Sequence, residues 1–145
     1  MNVSACLRYL AIAVAAGVGV VLTAWLLLWL YLLGPVGYAP PERLDYSAEP
    51  YKVFVYGTLK QPWVRRFIIG RSVEVTVDKL SGYQRQGLNL VEETEAVTIG
   101  LRFVVNATEM QRLDRYERLG VRYQREQLVL DSSTQAWVYR RIAAD

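Results

Sequence analysis

The sequence predicts an α+β domain built around a curled sheet and preceded by one long transmembrane helix. Three patterns carry that expectation. Residues 9–33 are almost unbroken apolar sequence. Val53-Phe54-Val55-Tyr56 is a short continuous apolar run, and Val97, Ile99, Leu101, Phe103 and Val105 alternate with other residues, the two signatures of buried and half-buried strands. Between and after them stand two short stretches with helix start and stop signals.

The N-terminal flank, residues 1–8, carries a single arginine, Arg8. From Tyr9 to Leu33 there is no charge, and Thr23 is the one strongly polar side chain. A helix over this run is roughly 37 Å long, enough to cross a hydrocarbon core of about 30 Å with some tilt. Tyr9 at its start and Trp25, Trp29 and Tyr31 in its second half sit where interfacial aromatics gather. The run is longer than a signal-peptide core, and Pro40 follows the small-residue spacing of Gly37-Tyr38-Ala39, so the reading is an uncleaved anchor in contact with membrane lipid. Ala11, Ala15 and Gly19 recur every four residues, a spacing that also fits a homodimer through the span. Arg8 before the span against Arg43 and Lys52 after it leans, by about one charge, toward a cytoplasmic N-terminus and an exterior or periplasmic domain. Residues 34–50 hold Pro35, Pro40, Pro41 and Pro50 and read as an extended linker. The globular domain is residues 51–145.

Within that domain the elements follow in order. Gly57-Thr58 ends the 53–56 strand, and Pro62 suits the first turn of a helix that runs to Ile69 and stops at Gly70. Val73, Val75 and Val77 alternate as a half-buried strand. The 97–105 strand has Gly100 interrupting its opposite face. Asn106 with Glu109 three residues on is a capping box for a helix to about residue 118. Two more strands are expected at 124–130 and 136–140.

Composition narrows the chemistry. The chain has no histidine and one cysteine, Cys6, which precedes the apolar run. A disulfide framework and a His-based triad are excluded, and neither a metal site nor a cofactor is expected. The arginines Arg112, Arg115, Arg118, Arg122 and Arg125 form the one dense cationic stretch, but Asp114, Glu117 and Glu126 are interspersed. That pattern reads as a solvated mixed-charge face, and no nucleic-acid partner is expected.

Two features stand out as chemistry-bearing. Tyr56-Gly57-Thr58-Leu59 leaves a buried strand and turns toward a helix, where glycine lets backbone N–H groups approach an oxygen-bearing ligand. The alternative is a tight turn with no ligand. Glu117 continues the apolar stripe of Met110 and Leu113, which would desolvate its carboxylate and raise its pKa, with Asp114 pushing the same way. The alternative is a carboxylate bent to solvent or paired with Arg118 or Arg122.

The combination of Val53-Phe54-Val55-Tyr56-Gly57-Thr58-Leu59-Lys60, Leu113-Asp114-x-x-Glu117 and Tyr123-x-Arg125 resembles the γ-glutamylcyclotransferase-like superfamily, in particular its γ-glutamylamine cyclotransferase-type members. The resemblance spans about residues 52–141. It implies a small mixed β-barrel with short flanking helices. It also implies that Tyr56, Gly57, Thr58 and Leu59 hold the glutamyl group, that Glu117 is the acid/base, and that Tyr123 walls the pocket. The implied reaction releases 5-oxoproline and a free amine or peptide from a γ-glutamyl compound, a small-molecule partner, without metal or cofactor. Where the family usually has glycine after its glutamate, this chain has Arg118. The rival reading is a non-catalytic, membrane-tethered binding or scaffolding domain on the same fold. Another acyl-transfer or amide-cleaving enzyme on that scaffold is a third.

Overall fold

The structure is a computed structural model that describes residues 3–32, 38, 40–41 and 44–142. The chain divides into two units, residues 1–37 and 38–145. Helix α1, Val3–Leu32, forms the first. Its stretch Arg8–Tyr31 has a mean hydropathy of 2.4, and its side chains are almost all exposed. By length and composition it is long and apolar enough to cross a membrane, a property that anchors and signal sequences share. The Thr23 hydroxyl donates to the Gly19 carbonyl at 2.9 Å, so the one polar side chain of the run is satisfied within the helix.

The second unit contains strand β1 (Tyr51–Val55), a 3-10 turn (Thr58–Lys60), helix α2 (Pro62–Ile69), strands β2 (Thr76–Gln86) and β3 (Asn89–Val105), helix α3 (Ala107–Glu117), and strands β4 (Tyr123–Val129) and β5 (Gln135–Arg141). The five strands run in the order β2-β3-β1-β5-β4, antiparallel except for the parallel pair β1–β5. The sheet curls into a half-barrel. Its two edge strands do not pair, but the β4–β5 turn reaches across. Asp131 N–H donates to the Lys79 carbonyl at 2.9 Å, and the Ser132 hydroxyl donates to Asp78 at 2.6 Å.

Local signals explain the helices. Pro62 opens α2, and Gly70 closes it in the left-handed region at φ 92°. Asn106 and Glu109 form the expected capping box on α3, and Arg71 pairs with Glu109 at 2.6 Å. Central β1 is buried on both faces, as its unbroken apolar run requires. Phe54 and Tyr56 point into the curl with Leu80, Leu90, Leu130, Ala136 and Val138. By alternation, Val53, Val55, Phe103 and Val105 share the other face, and they are buried along with Ile68, Ile69, Met110 and Leu113 of the two helices.

Two strand expectations shift. The strand expected at 73–77 begins only at Thr76 and turns Asp78 and Leu80 inward, leaving Val77 67% exposed. The alternating face of 97–105 is buried at Phe103 and Val105 but bare at Val97 and Ile99. The reason is coverage: the β2–β3 hairpin extends past the helices, so one face of one strand is core at one end and surface at the other.

Of the linker read at 34–50, residues 34–37, 39, 42 and 43 lie outside the described residues, and the described part lies against the domain. Tyr38 is buried and donates to the Leu119 carbonyl at 3.0 Å, and Tyr46 donates to Asp114 at 2.5 Å. A cleft remains between this segment and α3, lined by Pro40, Pro41, Leu44, Gln111 and Arg115 among others.

Gly100 lies where β3 crosses the β1 ring of Phe54. A Cβ there would lie 2.4 Å from Phe54 Cζ and 2.5 Å from the Val55 carbonyl oxygen. Gly100→Ala is therefore expected to destabilise the domain by about 1–3 kcal/mol through overpacking, read by thermal unfolding. A melting temperature equal to wild type would show that the strand yields to the methyl group.

Candidate active site

The 3-10 turn after β1 is held from behind. Arg65 of α2 is buried and donates from Nη1 to the carbonyls of Leu59 and Lys60 at 2.9 and 2.7 Å. Intrahelical bonding begins with Lys60 N–H to the Gly57 carbonyl at 3.0 Å, so the amides of Thr58 and Leu59 precede the first such bond. Gly57 has φ −104°, which other residues also adopt. Its missing side chain matters as space: a Cβ would touch only Leu88 Cδ2, at 3.7 Å. The Thr58 hydroxyl is hydrogen-bonded to Tyr116 OH of α3 at 3.1 Å, which ties the turn to the helix that carries Glu117.

Glu117 is the last residue of α3 and half-buried. Met110 and Leu113 on its stripe are fully buried, as the spacing predicted. Burial pushes the Glu117 carboxyl up to about 7, and nearby Arg122 opposes the rise without cancelling it. Asp114 does not contribute as expected, because its charge is met elsewhere. Arg125 Nη1 lies 2.9 Å from Asp114 Oδ2, while Tyr139 and Tyr46 donate to its two oxygens at 2.6 and 2.5 Å.

Tyrosines complete the surroundings of Glu117. Tyr56 is buried and donates to the Tyr139 carbonyl at 2.6 Å. Tyr123 OH donates to the Leu88 carbonyl at 3.1 Å, and Tyr56 OH lies 3.4 Å from the same oxygen. Burial raises the pKa of both phenols, and the neighbouring Glu117 charge adds to it, so both remain protonated near neutral pH. The structure thus brings Tyr56, Tyr123 and Glu117 together beside Gly57. Thr58 and Leu59 occupy the adjoining turn, Leu59 with its side chain in the core. Sequence reasoning missed Leu88, at the tip of the β2–β3 hairpin, and Tyr116. Neither carries a local signal, since both are placed by long-range folding. Among the described residues, no three His, Cys, Asp or Glu side chains gather as metal ligands would.

Comparison with known proteins places the chain in a family. Residues 53–144 match the family model described as γ-glutamyl cyclotransferase, AIG2-like. The chain belongs to this family. A solution structure from Arabidopsis thaliana is 27% identical, covering 68% of this chain and 74% of its own, with a TM-score of 0.58. A second Arabidopsis thaliana solution structure is 23% identical over 68% of this chain and 66% of its own, with a TM-score of 0.55. The crystal structure of an uncharacterised Pyrococcus horikoshii protein is 17% identical over 65% of this chain and 80% of its own, with a TM-score of 0.52. The last two speak for the fold alone. No curated protein matches the chain.

The departure at Arg118 has a backbone meaning. This residue closes α3 in the left-handed region, at φ 52° and ψ 59°, where glycine is the unstrained choice. Arg118→Gly is expected to stabilise the domain by roughly 0.5–1 kcal/mol, a rise of a few degrees in melting temperature. A fall would show that the contacts of the arginine outweigh its strain.

Glu117 makes stability depend on pH. Its folded pKa of about 7 lies above the ordinary 4.5, so the folded state favours the protonated form. The contribution is fully present below about 4.5 and is lost as pH rises through 7, with an upper limit of about 3 kcal/mol. Glu117→Gln should therefore melt higher than wild type at pH 8, with the gap closing at pH 4.5. A gap that does not change with pH would contradict the raised pKa.

Proposed function

We propose that this family member is a γ-glutamyl cyclotransferase, with α1 as its membrane anchor and Glu117 as its acid/base. The observation that carries the reading is a half-buried carboxyl on α3 that neighbours Tyr56 and Tyr123, within a family of γ-glutamyl cyclotransferases, and burial raises its pKa. The turn at 56–59 holds the glutamyl group through the early amides of the 3-10 turn and the room left by Gly57. Tyr123 walls the pocket.

In the reaction, the substrate's α-amine attacks its own γ-carbonyl. A C–N bond forms to close the five-membered ring, and the C–N bond to the leaving amine breaks. Both reacting groups belong to one molecule, so the pocket need only hold a reactive conformer. Glu117 takes two protons in turn from the α-nitrogen, one before it attacks and one after the C–N bond forms, and passes each to the departing nitrogen, which a pKa near 7 allows in both directions. The zwitterionic substrate and its products, 5-oxoproline and an ammonium ion, carry the same number of protons. The amides of the turn are placed to steady either the glutamyl carboxylate or the developing oxyanion.

The test is incubation of the full chain in detergent with a panel of γ-glutamyl amines and peptides, with detection of 5-oxoproline. Release from at least one member is expected. No release above background would favour a binding domain instead. Glu117→Gln should reduce turnover by about 10²–10⁴-fold with an unchanged circular dichroism spectrum. A folded variant that keeps more than about a tenth of wild-type activity would remove Glu117 from this role.

A further inference from the structure

We propose that the described residues 38, 40–41 and 44–50 form a clasp that sets the position of Glu117, with Tyr38 and Tyr46 as its positioning residues. The inference rests on the acid/base reading of Glu117 and concerns a segment that lies before the family-matched residues 53–144.

The contacts of this segment follow α3 from its end to its start. Tyr38 OH holds the Leu119 carbonyl at 3.0 Å, two residues past Glu117. Pro41 packs on Gly120, where its Cγ lies 2.8 Å from the position a Cβ would take. Tyr46 OH holds Asp114 at 2.5 Å, three residues before Glu117. Glu49 accepts from the backbone N–H of Ala107, the first residue of α3, where a carboxylate also suits the positive end of the helix. Glu117 thus has a fixed point from the clasp on either side.

The helix needs that support where Glu117 stands. Terminal turns fray, and this one closes on a left-handed arginine. Among the described residues, no hydrogen bond or ion pair is recorded for the Glu117 carboxylate itself, so its place depends on the backbone. The groups that face it are Tyr56 from β1, Tyr123 from β4, Tyr139 from β5 and Arg122 from the preceding turn. None of them touches the clasp through the two tyrosine hydroxyls. The sheet-side hydrogen bond of Asp114 to Tyr139 and its ion pair with Arg125 also persist without the clasp. Removing the hydroxyls therefore leaves the fold and the pocket walls in place while α3's last turn gains freedom and water.

The experiment compares Tyr38→Phe, Tyr46→Phe and the double variant in the full chain. Ser132→Ala, which loses a bond to Asp78 away from α3, serves as a control for destabilisation alone. The double variant should lose at least about tenfold in kcat with KM changed less than about threefold. The acid limb of its pH profile should move down by about one unit as water reaches Glu117. The Glu117 carboxyl resonance in carbon-13 NMR should titrate lower by the same amount. Loss of melting temperature with kcat and acid limb unchanged would overturn the clasp, as would an equal fall in kcat in Ser132→Ala. The NMR titration separates the two readings. A shifted titration in a chain that releases no 5-oxoproline supports the clasp and rejects the proposed activity. Turnover with an unmoved titration rejects the clasp alone.

Discussion

A single buried carboxylate, Asp114, joins four parts of the domain. It sits on α3, pairs with Arg125 of β4, and accepts hydrogen bonds from Tyr139 of β5 and Tyr46 of the N-terminal segment. The Arg125 guanidinium is in turn stacked between rings, 5.1 Å from Tyr46 and 5.0 Å from Trp137. Burying such a pair costs desolvation, and the cost is offset only where every oxygen is bonded. Here the two phenols donate one to each oxygen, and the Arg125 charge lies 2.9 Å from one of them. The same bonds leave α3 with one seat on the sheet, because shifting the helix by a residue would strand a charge in the core.

That constraint sets two carboxylates on one helix, three residues apart, in opposite surroundings. Asp114 is saturated with donors and serves the fold. Glu117 faces phenols that keep their protons and one cation, Arg122, with burial outweighing it. The same helix thus carries two carboxyls whose pKa burial raises, and only at Asp114 do the hydroxyls of Tyr139 and Tyr46 and the charge of Arg125 oppose that rise directly. The proposed cyclisation uses only the second.

The turn opposite Glu117 is stiffened from two sides. Arg65 bonds its carbonyls from behind, and Thr58 meets Tyr116 from α3. The hairpin tip adds a third wall, since the Leu88 carbonyl takes the Tyr123 hydroxyl while its side chain lies over Gly57. The residues of the proposed site thereby come from β1, α3, β4 and the β2–β3 hairpin, which are far apart along the chain.

Local order was legible in the sequence wherever the signal is itself local. The apolar helix, expected over 9–33 and described as Val3–Leu32, the doubly buried Val53-Phe54-Val55, Pro62 and Gly70 at the ends of α2, and the Asn106–Glu109 box all act within a few residues. The stripe of Met110 and Leu113 even placed Glu117 at the edge of the core, because a helix repeats every 3.6 residues whatever it packs against. What only the tertiary structure decided depends on partners distant in sequence. It left Val77, Val97 and Ile99 bare because the helices stop short of the hairpin, an outcome alternation cannot reveal. It spent the charge of Asp114 on Arg125, and it laid the proline-rich segment along α3. Periodicity names the face that prefers burial; which neighbour covers that face, and which charge meets which, is settled only when the chain closes on itself.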